Sequence, residues 1–221
     1  MLKIVVYDNG SGGELFANQL ESELPVAEII RVIERPTRAG SGPKHVHEIR
    51  KSAEEALGPY FGKVDLIIFA NYLLTATSLN YFRRKYKSQK FTGFSFDSRR
   101  VASRKQTLVI TTRPITRNFA YIAFLRRVRA KTICMDHWPF LMDDDKLEPS
   151  DVIADLGAAI KNISNFSPEQ ILLACGQFAK YTPEFREIFG HNVRIVDNFD
   201  ETIRRAFRIL HIRGGTGKKR K

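Results

Sequence analysis

The sequence predicts an α/β protein of two pseudo-symmetric lobes, each a mainly parallel sheet flanked by helices. Three observations carry this expectation. Short apolar runs alternate with longer amphipathic stretches along the whole chain, the pattern of strands joined by crossover helices. The intervening loops are short. The alternation also starts afresh after the basic stretch at residues 99–105, which marks two halves. The expected division is residues 1–97 with 200–221 as the first lobe, and 98–199 as the second.

The first unit organises the rest. Residues 2–6 read as a buried strand, and residues 14–24 as a helix with Leu15, Phe16, Leu20 and Leu24 on one face. Between them lies Asp8-Asn9-Gly10-Ser11-Gly12-Gly13. Ligands of open α/β sheets collect at the carboxyl ends of strands, beside helix N-termini. Glycines there permit close backbone approach, and exposed N–H groups suit an anion. Asp8 reads either as a proton relay or as a cap of the turn.

Further strands are expected at 27–33, 64–70 and 91–96, with helices at 45–57 and 73–86. Gly58-Pro59 ends the first of these helices. In the second half, strands are expected at 107–112, 131–135, 171–174 and 193–196. Helices are expected at 118–129, 149–163, 182–189 and 198–210, and His137-Trp138-Pro139 in a loop with Trp138 as a packing anchor.

Composition narrows the class. Of 221 residues, 43% are hydrophobic, enough for a sizeable core. Cys134 and Cys175 supply neither a disulfide framework nor zinc-ligand spacing, and no metal is expected. No apolar leader and no run long enough to span a bilayer is visible, so a cytoplasmic protein is expected. The charge is unusual: 36 Lys and Arg against 24 Asp and Glu give +12. Cations cluster at residues 83–90, 99–105, 126–131 and in the Gly-rich tail 213–221. Such a surface is either a solvated face or a holder of polyanions, and no nucleic-acid motif accompanies it.

Four motifs carry a family resemblance. They are Asp8-Asn-Gly-Ser-Gly-Gly13, then Ala70-Asn-Tyr-Leu-Leu-Thr75, then Thr111-Thr-Arg-Pro-Ile-Thr116 with Ala120-Tyr121, and finally Ala174-Cys-Gly-Gln-Phe-Ala179 ahead of Pro183-Glu184-Phe185. In this order the chain resembles the aspartate/glutamate racemase superfamily, and most of all glutamate racemase. The corresponding family signatures are D-S-G-x-G-G, A-C-N-T-A-S, paired threonines before a helix, and G-C-T-H-Y-P. The likeness spans nearly the whole length and ends at Val193-Arg-Ile-Val-Asp197.

The resemblance implies a cofactor-independent isomerase of amino-acid metabolism and cell-wall biogenesis, with its active-site cleft between the lobes. In that family one thiol from each lobe flanks the substrate α-carbon. One takes the α-proton and the other delivers a proton to the opposite face. Hydroxyl and amide residues around the thiols hold the substrate carboxylates. Carried over here, Cys175, Asp8 and Asn71 are the catalytic positions. Asn9, Gly10, Ser11, Tyr72, Thr75, Thr112, Thr116, Gly176 and Gln177 are the substrate-binding ones.

The departures are as informative. The first catalytic thiol is Asn71, and an amide is no base near neutral pH. The threonine and histidine after the second thiol are Gly176 and Gln177, one threonine of the third motif is Ile115 unless Thr116 replaces it, and the family's Pro-Tyr-Gly segment has no clear counterpart at 38–44. The site therefore reads as degenerate, with Cys175 the single thiol and Asp8 or Tyr72 the alternatives for a second base. A lone thiol in the second lobe is also the pattern of arylmalonate decarboxylase. The alternative is an inactive homologue that binds or regulates through its basic surface. Expected partners are a small carboxylate or amino acid such as glutamate or aspartate, with a homodimer and polyanions left open. In a polar cleft near helix N-termini, Cys175 is expected to have a lowered pKa and to alkylate before Cys134.

Overall fold

The computed structural model describes residues 1–34, 45–95, 105–117, 119–125, 128, 130–163 and 166–212. The basic tail, the segment 38–44 and most of the cation run 99–105 lie outside them.

The first half runs β1 (Leu2–Asp8), α1 (Gly12–Glu23), β2 (Ala27–Ile33), α2 (Val46–Leu57), β3 (Leu66–Phe69), α3 (Tyr72–Lys85) and β4 (Phe91–Gly93). The second runs β5 (Thr107–Thr111), α4 (Arg113–Thr116), α5 (Phe119–Leu125), β6 (Ala130–Cys134), α6 (Trp138–Asp143), α7 (Pro149–Lys161), β7 (Gln170–Leu173), α8 (Thr182–Phe189), β8 (Arg194–Val196) and α9 (Phe199–Ile209). Each half forms one four-stranded sheet, β2-β1-β3-β4 and β6-β5-β7-β8, with every pairing parallel. The two orders are the same. Each sheet reverses its strand order beside its first strand, which is where an open α/β sheet leaves a crevice.

The central strands explain themselves. β3, β5 and β7 are buried at every residue, as expected for parallel strands covered on both faces. Alternate residues then feed different cores. Val5, Tyr7, Ile67 and Phe69 join α2 and α3 on the outer face of the first sheet. Leu108, Ile110, Ile171 and Leu173 meet α6, α7 and α8 on the outer face of the second. Ile4, Val6, Leu66 and Ile68 face inward and share a third core with Val109, Leu172 and Val196. At its centre Phe16, Phe94 and Phe199 stand edge-on or tilted, with ring centroids 5.2–5.5 Å apart. One apolar body therefore joins the two sheets. α9 lies in this shared core; its Arg205 donates to Gly93 O at 2.9 Å and its Asp200 accepts from Gln19 at 2.8 Å.

Two expectations need correction. Residues 137–139 open helix α6 instead of a loop, because Pro139 suits a first helical turn and Trp138 is fully buried, its Nε1 donating to Asp155 at 2.8 Å. The strand expected over 91–96 ends at Gly93; Ser95 instead presents its carbonyl to Asn198 at 2.5 Å.

Candidate functional site

Four residues occupy matched places in the two sheets. Asp8 ends β1 and Thr112 follows β5; Asn71 follows β3 and Cys175 follows β7. All four line one cavity of about 180 Å³ between the halves. Asn9, Gly10, Tyr72, Gly176 and Gln177 line it too.

Asp8 is 3% exposed. Its Oδ1 accepts the Asn9 N–H at 2.7 Å and the Asn71 Nδ2 at 3.0 Å. Burial outweighs these bonds and pushes the carboxyl up to about 7. The turn beneath it requires glycine, since a Cβ on Gly13 would stand 2.5 Å from Asp8 Cβ and 2.7 Å from Ile33. A Cβ on Gly12 would stand 2.8 Å from the Gln177 nitrogen, so close approach of the halves depends on glycine there as well.

Asn71 is absorbed by local structure. Its Oδ1 accepts the Leu74 N–H at 3.0 Å, the N-cap bond of α3. Its Nδ2 donates to Asp8 and, at 2.8 Å, to Asn9 Oδ1. Both amide hydrogens are thereby committed.

On the facing side, Gln177 Nε2 donates to Ser11 Oγ and to Asp143 Oδ1, each at 2.7 Å. Asp143 Oδ1 also accepts the Ser11 N–H at 3.2 Å. This knot ties α6, the turn after β7 and the start of α1 together. The Cys175 thiol donates to Gln177 Oε1 at 3.7 Å. Its expected low pKa is overturned. Burial, with the negative charges of Asp8 and Asp143, pushes the thiol up to about 12.

Three of the expected substrate contacts are diverted. Thr75 Oγ1 donates to the carbonyls of Asn71 (2.6 Å) and Phe69 (3.2 Å), and Thr116 Oγ1 to that of Arg113 at 2.8 Å. A helical hydroxyl readily closes on its own preceding turn. Neither lines the cavity, nor does Ser11; Ile115 does, and Thr116 does not take its place. Tyr72 lines the cavity, but its hydroxyl donates to Leu173 O at 3.2 Å and accepts from Asn198 Nδ2. Burial and the Asp197 charge keep the phenol protonated.

Asp143, Pro139 and Phe140 line the cavity from α6, and Ile49 from α2. The sequence signal for Asp143 was the acidic run 143–145 just past Trp138. Among the described residues no group of His, Cys, Asp and Glu is arranged to hold a metal ion, and no helix is long and apolar enough to cross a membrane. Several cations of the basic runs are used internally. Arg83 donates to Phe91 O at 2.7 Å, Lys85 contacts Glu54 at 2.5 Å, and Lys131 lies 5.2 Å from the Phe166 ring.

Comparison with known proteins gives one consistent likeness. No family model matches the chain. Glutamate racemase of Exiguobacterium sibiricum is 25% identical over 222 residues, covering 96% of this chain and 81% of the relative. The Escherichia coli glutamate racemase solved with L-glutamate and the activator UDP-MurNAc-Ala superposes with TM-score 0.80 at 16% identity, over 100% of this chain and 86% of that one. The Campylobacter jejuni glutamate racemase gives 0.77 at 21% identity, over 100% and 89%. Allantoin racemase of Pseudomonas fluorescens gives 0.63 at 17%, over 100% and 95%. In sequence and in fold the chain resembles the aspartate/glutamate racemase superfamily.

Proposed function

We propose that this is a glutamate racemase-like protein that needs no cofactor, binds a small carboxylate or amino acid in the interlobe cleft, and moves a proton at its α-carbon. One observation carries the reading: Asp8 and Cys175, from opposite halves, face the same cavity. With Asp8 pushed up to about 7 and the thiol to about 12, Asp8 is a carboxylate base in about half of the molecules at pH 7 and in most of them above it, opposite a protonated thiol acid. A base so poised suits proton abstraction. Asp8 takes the α-proton, the electron pair delocalises into the substrate carboxylate, and Cys175 protonates the opposite face. Asn71, where the family has its first thiol, keeps Asp8 oriented.

The same values limit the reaction. Inversion leaves Asp8 protonated and Cys175 a thiolate. The thiol titrates well above the carboxyl, which makes that state costlier than the starting one. Exchange through Asp8 alone, with return of a solvent-derived proton to the same face, avoids that state. The expected activity is α-proton exchange that outpaces inversion.

A second reading is favoured by the complete use of the Asn71 amide as cap and tether. In it the chain is an inactive homologue that binds its partner, a polyanion or a second copy, through the basic surface. Incubation with D- and L-amino acids, glutamate and aspartate included, in D₂O separates the two. Loss of the α-proton resonance, slowed roughly 10²-fold or more by Asp8→Asn, with any inversion lost in Cys175→Ser while exchange persists, supports proton transfer. An intact resonance across the series leaves the binding reading.

A further inference from the structure

We infer that the cleft takes a substrate with a single carboxylate and an apolar side chain, and not the dicarboxylate that its likeness to glutamate racemases suggests. The inference rests on the proposal that this cavity is the substrate site.

The donors available to anions are few. Of the three side-chain amides that line the cavity, Asn71 spends both N–H groups on Asp8 and Asn9. Gln177 spends both on Ser11 and Asp143. Thr75 and Thr116 have turned their hydroxyls into helix backbone. Among the side chains that line the cavity, what remains is the Thr112 hydroxyl and the Asn9 amide nitrogen.

The charge lining the cavity has the wrong sign for a second one. Its charged side chains are Asp8 and Asp143, and no Lys or Arg among the described residues lines it. A distal carboxylate seated here loses its water beside two acidic groups, with no cationic side chain among the described residues to offset them.

The walls point the same way. Ile49, Leu73, Leu74, Ile115, Pro139 and Phe140 close the cavity. Leu73 and Leu74 fall where the family motif has Thr and Ala, and Ile115 where it has a threonine. Carboxylate-binding positions have thus become apolar surface, which favours burial of a hydrocarbon chain. The two acidic groups meanwhile suit an α-ammonium.

Ligand-observed NMR titration of the full chain tests this with leucine, methionine, glutamate and aspartate of both hands, followed by α-proton exchange with the same compounds in D₂O. The expected result is leucine or methionine bound at least about tenfold more tightly than either dicarboxylate, the discrimination given by an unpaired buried polar group. Equal or tighter binding of glutamate or aspartate overturns the inference, as does binding of no compound. Binding of leucine without exchange leaves the side-chain class standing and overturns the proton-transfer proposal. Rapid exchange of glutamate does the reverse. Leu73→Thr returns a hydroxyl to the wall and should shift the preference toward glutamate by roughly threefold or more; an unchanged preference in the folded variant also overturns the inference.

Discussion

Replacing Asp8 with asparagine should make the protein more stable at alkaline pH while removing its proton transfer. Burial raises the folded-state pKa of Asp8 to about 7 from 3.8. The folded protein therefore holds a proton that the unfolded chain has released. Its stability falls as pH rises from about 4 to about 7, and the loss is complete above that. Three units correspond to about 4 kcal/mol at 1.36 kcal/mol each. Asparagine carries no such charge and keeps an oxygen for the Asn9 and Asn71 donors. Its NH₂ group faces the Gly13 N–H that the carboxylate accepts, which subtracts about 1–2 kcal/mol. The variant should be about 2–3 kcal/mol more stable than wild type at pH 8, or several degrees in Tm for a chain of this size. Between pH 8 and pH 5 most of that gap should disappear. Urea denaturation of both proteins at the two pH values measures it, and α-proton exchange should fall by roughly 10²-fold or more in the variant. A stability difference that does not change between pH 5 and 8 would refute the reasoning, because Asp8 would then be titrating in its ordinary range.

Exchange by the wild type should rise with pH through about 7 and then level off, since the base ionises near 7; a profile with no inflection near pH 7 would count against Asp8 as the base. Iodoacetamide at pH 8 should leave Cys175 unmodified for at least as long as Cys134, because burial raises both thiols and Cys175 to about 12; mass spectrometry showing Cys175 alkylated first would contradict its placement. Glutamate racemisation, followed by circular dichroism of a D-glutamate solution, should be weak or absent, and Asn71→Cys should restore little while costing about 1–2 kcal/mol through loss of the α3 cap. Turnover of about 1 per second or more in the wild type would mean that another base occupies that face.

The order of elements was legible because it is written in local periodicity. Ile67-Ile68-Phe69, a short apolar run, suits a parallel strand covered on both faces, and Phe16 and Leu20 recur at helical spacing on α1. The places of Asp8, Asn71, Thr112 and Cys175 followed from the ends of apolar runs, since such sheets expose ligand sites at strand carboxyl ends. The family likeness added which of those ends belong together. What each side chain does there was not legible. Thr75 and Thr116 are hydroxyls in sequence, but helical backbone within reach captured both. Cys175 and Asp8 take their pKa values from burial, which depends on everything packed around them. Asp143 and Phe140 reach the cavity only because Trp138 anchors α6 in the core and turns that helix toward Gln177. Periodicity reports on the face a residue shares with its neighbours along the chain; whether a hydroxyl closes on its own turn, a thiol is desolvated or a distant helix is brought to the cleft is set by the three-dimensional contacts, some between residues as far apart as Ser11 and Gln177.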